Sequence, residues 1–171
     1  MNREEVILVN LDDTMTGTME KMEAHRQGVL HRAFSIYLFN ENNMLLLQKR
    51  ATSKYHSGGL WTNTCCGHPR PGDLIEVAAI RRLQEEMGLS ASLEMILRFP
   101  YKVQLDKGMT EHELLHVFIG KTENEPAINP EEVEEWEFVP SNKIQNALQQ
   151  HPENYTEWFK ITWPRIHEMI S

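Results

Sequence analysis

The chain has 171 residues, 40% of them hydrophobic and 25% charged, a balance that suits one soluble globular domain spanning 1–171 and excludes disordered and fibrous classes. Its formal charge of −8 argues against a nucleic-acid binder or an anionic-membrane partner, because both need a basic face. An anionic small-molecule ligand must then be held locally, by metals and a few cations. The opening MNREEVILVN lacks the length and charge pattern of a secretory signal, and no stretch reads as a membrane span. A cytoplasmic chain is expected, with its two adjacent cysteines, Cys65 and Cys66, kept reduced.

Val6 to Val9 is a short apolar run ending at Asn10, Asp12 and Asp13, which reads as a buried strand entering a turn. Thr14 to Gly28 is polar and fits either a short helix or a loop. His31–Phe39 and Met44–Lys49 flank the turn residues Asn40 to Asn43 and predict a hairpin, followed by a basic loop from Arg50 to Gly59. Between Leu74 and Met87, the apolar residues Leu74, Val77, Ala78, Ala79, Ile80, Leu83 and Met87 predict a helix covering a sheet, stopped by Gly88. Leu93–Leu105, interrupted by Pro100, and Leu114–Ile119 read as strands around an Asp106-Lys107-Gly108 turn, with another at Trp136–Val139. Ser141 is placed to cap a helix over Asn142–Gln150, and Glu153–Ile170 reads as a last helix on Trp158, Ile161, Ile166 and Met169, limited or kinked at Pro164. Strands interleaved with helices in this way favour an α+β fold, an α/β/α sandwich.

The stretch WTNTCCGHPRPGDLIEVAAIRRLQEEMGL, Trp61 to Leu89, carries the most specific pattern. Counted from Gly67, it resembles the Nudix box: Asp73 stands at the first Glu position, Arg81 fits, Arg82 replaces the next Glu, and Leu83, Glu85, Glu86, Gly88 and Leu89 fit. The likeness implies a Nudix fold, a mixed sheet flanked by helices. Thr62-Asn63-Thr64-Cys65-Cys66-Gly67-His68-Pro69 further resembles the active-site stretch of the type I isopentenyl-diphosphate isomerases, and that resemblance runs from Lys21 to Trp158. It implies interconversion of isopentenyl and dimethylallyl diphosphate by adding a proton at one carbon and removing one from another. The expected assembly is a monomer or weak dimer.

Glu111 and Glu113 lie two apart in an extended stretch, which turns both carboxylates to one face and His112 to the other. Taken singly, each of these histidines reads more readily as a surface residue than as a ligand. The resemblance implies that His25, His31, His68, Glu111 and Glu113 hold one divalent metal, Mn²⁺ or Mg²⁺, with Zn²⁺ also open. His56, His112, His116, His151 and His167 have no such match and read as surface or structural. By the same resemblance Cys66 and Glu113 form the acid/base pair, helped by Tyr101. Lys21, Arg50, Lys54 and Arg82 contact the diphosphate, and Glu86 with the Cys66 carbonyl holds a diphosphate-bridging Mg²⁺. Trp158 offers its indole face to a carbocation, although its spacing alone reads equally as a core anchor; Trp61 is close enough in sequence to line the pocket. Two rival readings are a Nudix hydrolase of a nucleoside diphosphate derivative, disfavoured by Asp73 and Arg82, and a redox or metal sensor built on the paired thiols.

Overall fold

The apolar run His31–Phe39 becomes the strand on which the sheet is assembled. The computed structural model describes residues 3–171, so Met1 and Asn2 of the expected 1–171 domain lie outside the described residues. In chain order the elements are β1 (Glu5–Val9), β2 (Met15–Glu20), α1 (Lys21–Gln27), β3 (His31–Phe39), β4 (Leu45–Arg50), β5 (Trp61–Thr62) and β6 (Cys65–Gly67). They continue with α2 (Ile75–Met87), β7 (Glu94–Gln104), β8 (Thr110–Lys121), β9 (Val133–Val139), α3 (Ser141–Gln150), a 3-10 turn at Pro152–Asn154 and α4 (Glu157–Ile170). β3 runs parallel to β8 from His31↔Glu113 to Phe39↔Lys121, and its other edge meets β1, β6 and β4. β7 pairs with β8, β2 with β1, and β5 and β9 with β4, which completes one mixed sheet among the described residues.

Side chains on β3 alternate between two cores, as the period of an extended chain requires. Ala33, Tyr37 and Phe39 pack with Ile144 of α3 and with Trp158, Phe159, Trp163 and Ile166 of α4. Phe34, Ile36 and Leu38 face the opposite way, onto Ala78, Ala79, Leu83 and Met87 of α2. Burying a large apolar side chain contributes roughly 1.5–3 kcal/mol, so this one strand stabilises both layers of the expected α/β/α sandwich.

The predicted hairpin forms only at its turn. β3 and β4 pair at Phe39↔Leu45, and beyond that the Thr62–Gly67 segment lies between the arms. Thr64 fills the gap: its hydroxyl accepts from the Leu38 amide at 2.9 Å and donates to the Leu46 carbonyl at 2.6 Å. Asn63 Nδ2 donates to the Ile36 carbonyl at 3.1 Å, and Gln48 Nε2 donates to the Thr64 carbonyl at 2.8 Å. Side-chain amides and hydroxyls here satisfy buried backbone groups that a regular ladder would have paired.

Other differences are smaller. Leu74, just before α2, and Val77 and Ile80 on it are 70%, 55% and 42% exposed, because seven apolar residues span a wider arc than one contact can cover and the helix rests on Ala78, Ala79, Leu83 and Met87. Gly88 stops α2 as expected, at φ 62°, where a Cβ would meet the Ala127 carbonyl oxygen at 2.5 Å. Pro100 does not interrupt β7, which among the described residues pairs only with β8, leaving its other edge for a residue with no N–H. Ser141 is the first residue of α3 and makes no capping bond. The last helix begins at Glu157 rather than Glu153, behind Thr156, whose hydroxyl accepts from the Phe159 amide, and its expected anchor Met169 is exposed. α4 continues through Pro164.

Candidate active site

Three pieces of chain bring imidazoles to the starts of β3 and β8. The short helix α1, its first amides bonded by the Glu20 carboxylate, carries His25; His31 opens β3; His68 follows β6. His25 Nδ1 donates to the Lys21 carbonyl at 2.7 Å and His31 Nδ1 to the Val29 carbonyl at 2.8 Å, leaving each ring a lone pair at Nε2. Those nitrogens stand 3.5 Å from Glu111 Oε1 and 3.4 Å from Glu113 Oε2, and His68 Nε2 lies 2.8 Å from the latter oxygen. Both rings are 0% exposed, and neither Nε2 has a hydrogen-bond partner among the described residues. Buried lone pairs aimed at buried carboxylate oxygens repel one another unless a cation lies between them, so the donor set fits a divalent metal ion. Donor atoms of His25, His31, His68 and Glu113 all fall within 4.8 Å of one another.

The strand alternation of β8 holds as expected. Glu111 and Glu113 share the site face, while His112 turns away and donates from Nδ1 to the Gly28 carbonyl at 2.9 Å. Tyr101, opposite Glu113 on β7, donates to Glu113 Oε1 at 2.5 Å. Burial pushes the Glu113 carboxyl up, but His31, Glu111 and Tyr101 together hold it at about 2. Burial likewise lowers His25, yet the Glu111 carboxylate lifts it above the ordinary imidazole value.

Cys65 and Cys66 sit on opposite faces of β6. Cys65 is fully buried in the α2 core, with Sγ 3.4 Å from Glu86 Oε2. Cys66 pairs with Ser35 of β3 and packs toward the α4 side, where its Sγ donates to Asn63 Oδ1 at 3.2 Å and meets Ser35 Oγ at 3.5 Å. Burial pushes this thiol up to about 12. Gly67 follows because a Cβ there would meet Phe34 at 2.7 Å and the Arg82 stem at 3.2 Å.

The expected cations line the same cleft as Cys66, His68, Glu86, Glu111, Glu113 and Trp158; His25, His31 and Tyr101 sit behind that lining. Three of these cations already hold carboxylates. Lys21 Nζ is 2.6 Å from Glu4, Lys54 pairs with Glu132, and Arg82 Nη2 is 3.0 Å from both Glu132 and Glu86. Arg50 donates to the His56 carbonyl at 3.0 Å and lies 5.1 Å from the centre of the Trp158 ring. Asp73, at the first acidic position of the box, pairs with Arg81 at 2.8 Å. Trp61 does not reach the cleft lining; it pairs with Lys49 and bridges to Tyr155.

Several residues at the site lay beyond the sequence reading. His56, set aside as surface or structural, is 1% exposed with Nε2 3.2 Å from Glu111. Glu132 joins Lys54 to Arg82, Glu4 holds Lys21, and Ser35 and Asn63 hold the Cys66 thiol. Only Asn63, inside the quoted motif, offered a local signal; the others depend on contacts between distant segments.

Residues 29–159 match the NUDIX domain model. An isopentenyl-diphosphate Delta-isomerase of Pectobacterium atrosepticum is 51% identical over 95% of this chain and 90% of its own. One from Photobacterium profundum is 46% identical over 98% and 97% respectively. Among solved structures, the DR0079 protein of Deinococcus radiodurans superposes with a TM-score of 0.78 at 19% identity, covering 95% of this chain and 98% of that one, a likeness of fold. On sequence identity over nearly its whole length, the chain belongs to the isopentenyl-diphosphate Delta-isomerase family of NUDIX-domain proteins.

Proposed function

We propose that the chain interconverts isopentenyl diphosphate and dimethylallyl diphosphate, with Cys66 and Glu113 as the proton donor and acceptor of one cleft. The observation that carries this assignment of roles is that both side chains line one cleft, Cys66 from β6 and Glu113 from β8. Burial there favours the protonated thiol, while His31, Glu111 and Tyr101 favour the ionised carboxylate. In the direction this state sets, Cys66 Sγ gives a proton to the double bond and Glu113 takes one from the neighbouring carbon; the reverse reaction returns both through the same groups. Tyr101, bonded to Glu113, fixes the carboxylate. Trp158 offers its ring to the positive charge that develops between the two steps.

His25, His31, His68, Glu111 and Glu113 would hold one divalent ion, Mn²⁺ or Mg²⁺, with Zn²⁺ as the alternative. Bound there, it supplies positive charge that keeps Glu113 ionised and in place. Glu86 and the Cys66 carbonyl would hold a Mg²⁺ that bridges to the diphosphate, alongside Lys21, Arg50, Lys54 and Arg82. Arg82 at a box position where hydrolases carry an acid, and Asp73 tied to Arg81, support isomerisation over hydrolysis of a nucleoside diphosphate derivative. The reading carries with it a free small-molecule substrate and a cytoplasmic monomer or weak dimer. No helix among the described residues is long and apolar enough to cross a membrane. Incubation with isopentenyl diphosphate and Mg²⁺, followed by separation of the C5 products from released phosphate, should give dimethylallyl diphosphate without phosphate. Phosphate release without an isomer would overturn the reading.

A further inference from the structure

His56 carries the same marks as His25 and His31. Its ring is buried, Nδ1 lies 3.1 Å from Ser57 Oγ, and Nε2 has no hydrogen-bond partner among the described residues although it stands 3.2 Å from Glu111 Oε1. His25 Nε2 approaches that same oxygen at 3.5 Å, and the two ring centres are 5.6 Å apart. With the Ser57 hydroxyl accepting the Nδ1 proton, His56 presents a lone pair toward Glu111, as His25 does with its own Nδ1 held by the Lys21 carbonyl. Donor atoms of His25, His56 and Glu111 fall within 4.8 Å of one another, as a group separate from that of His31, His68 and Glu113 except for the shared His25.

We propose that His25, His56 and Glu111 form a second metal position beside the first, suited to a borderline divalent ion such as Zn²⁺. Two imidazoles and one carboxylate leave a fourth place for water, a donor set that Zn²⁺ accepts in tetrahedral geometry. His25 has one free nitrogen, so the two positions exclude each other. An ion at the second position takes His25 and Glu111 and leaves the first set with His31, His68 and Glu113 alone. The ion also sits against substrate-facing residues: the His56 ring meets Trp158 edge-on with centres 5.5 Å apart, and the His56 carbonyl holds Arg50.

This inference rests on the metal centre proposed above, and the test separates the two. Metal-free protein is titrated with Co²⁺, read by visible absorption and by bound-metal analysis. Wild type should take up one Co²⁺ and show the strong bands of a four-coordinate ion over the weak absorption of a six-coordinate one. His56→Gln should still bind Co²⁺ but lose the strong bands. His56→Cys should gain a near-ultraviolet thiolate-to-cobalt charge-transfer band that wild type lacks, a signal only a ligand position gives, and it decides the question if the glutamine variant does not fold. Spectra and Co²⁺ affinity unchanged in both variants would overturn the second position and leave the first standing. A wild-type protein that binds no Co²⁺ would overturn both.

Discussion

The two ends of the cleft are electrostatic opposites. At the histidine end, buried lone pairs of His25, His31 and His56 face the carboxylates of Glu111 and Glu113 with no hydrogen satisfying them. At the other end, Lys21, Lys54 and Arg82 already hold Glu4, Glu86 and Glu132, and Arg50 rests on the His56 carbonyl. One end stores an unmet demand for a cation, which makes it preformed and costly to leave empty. The other is largely neutralised in advance, so the diphosphate of the proposed reaction would exchange partners there rather than fill a vacancy. Metal should therefore bind without substrate, while substrate has to compete with the protein's own acids.

Cys66, which lies between the ends, is where the largest effect is expected. Cys66→Ala should lower turnover on the order of a hundred-fold or more, as loss of a general acid or base does, while Cys65→Ala, in the opposite core, should keep most of it. Steady-state rates decide this, and equal loss in both variants would sink the assignment. The histidine end is tested by its two carboxylates. Glu111→Gln should mainly weaken metal binding and recover much of its activity in excess metal. Glu113→Gln should stay inactive at full occupancy, since an amide cannot take the proton. Bound metal and turnover measured together separate the two, and equal recovery would leave Glu113 a ligand only.

The cationic end should respond more mildly and with the opposite sign. Glu132→Gln leaves Lys54 and Arg82 short of a carboxylate, which should destabilise the free protein by about 1–2 kcal/mol, given that the pair is only partly shielded from water. It also removes a competitor of the substrate. KM should fall several-fold with kcat nearly unchanged, and inorganic diphosphate should raise the variant's melting temperature more than that of wild type. A raised KM would show that Glu132 positions the cations rather than competing for them.

What the sequence made legible followed short-range rules. The end of α2 at Gly88, the shared face of Glu111 and Glu113, and the sandwich itself came from periodicity and turn chemistry, with the box motif pointing to the site. What it concealed depended on distant segments meeting. A hairpin reading is sound for Phe39 and Leu45 and fails beyond them, because Thr64 supplies the bonds that hold the arms apart. Glu132 meets Lys54 across 78 residues, and His56 reads as loop polarity until Glu111 is placed beside it. The exposed Leu74, Val77 and Ile80 show the converse, an apolar spacing that did not mean burial.

Strand alternation at β6 also fixes the chain's redox character. Adjacent cysteines invite comparison with the vicinal dithiols that close a ring around trivalent arsenic or resolve an oxidised sulfur as a disulfide. Here the sheet stands between the two side chains, Cys65 sealed under α2 and Cys66 open to the cleft. An oxidant therefore meets a solitary thiol: a sulfenic acid formed on Cys66 has no neighbouring sulfur to rescue it, and its repair must come from a thiol brought in from solution.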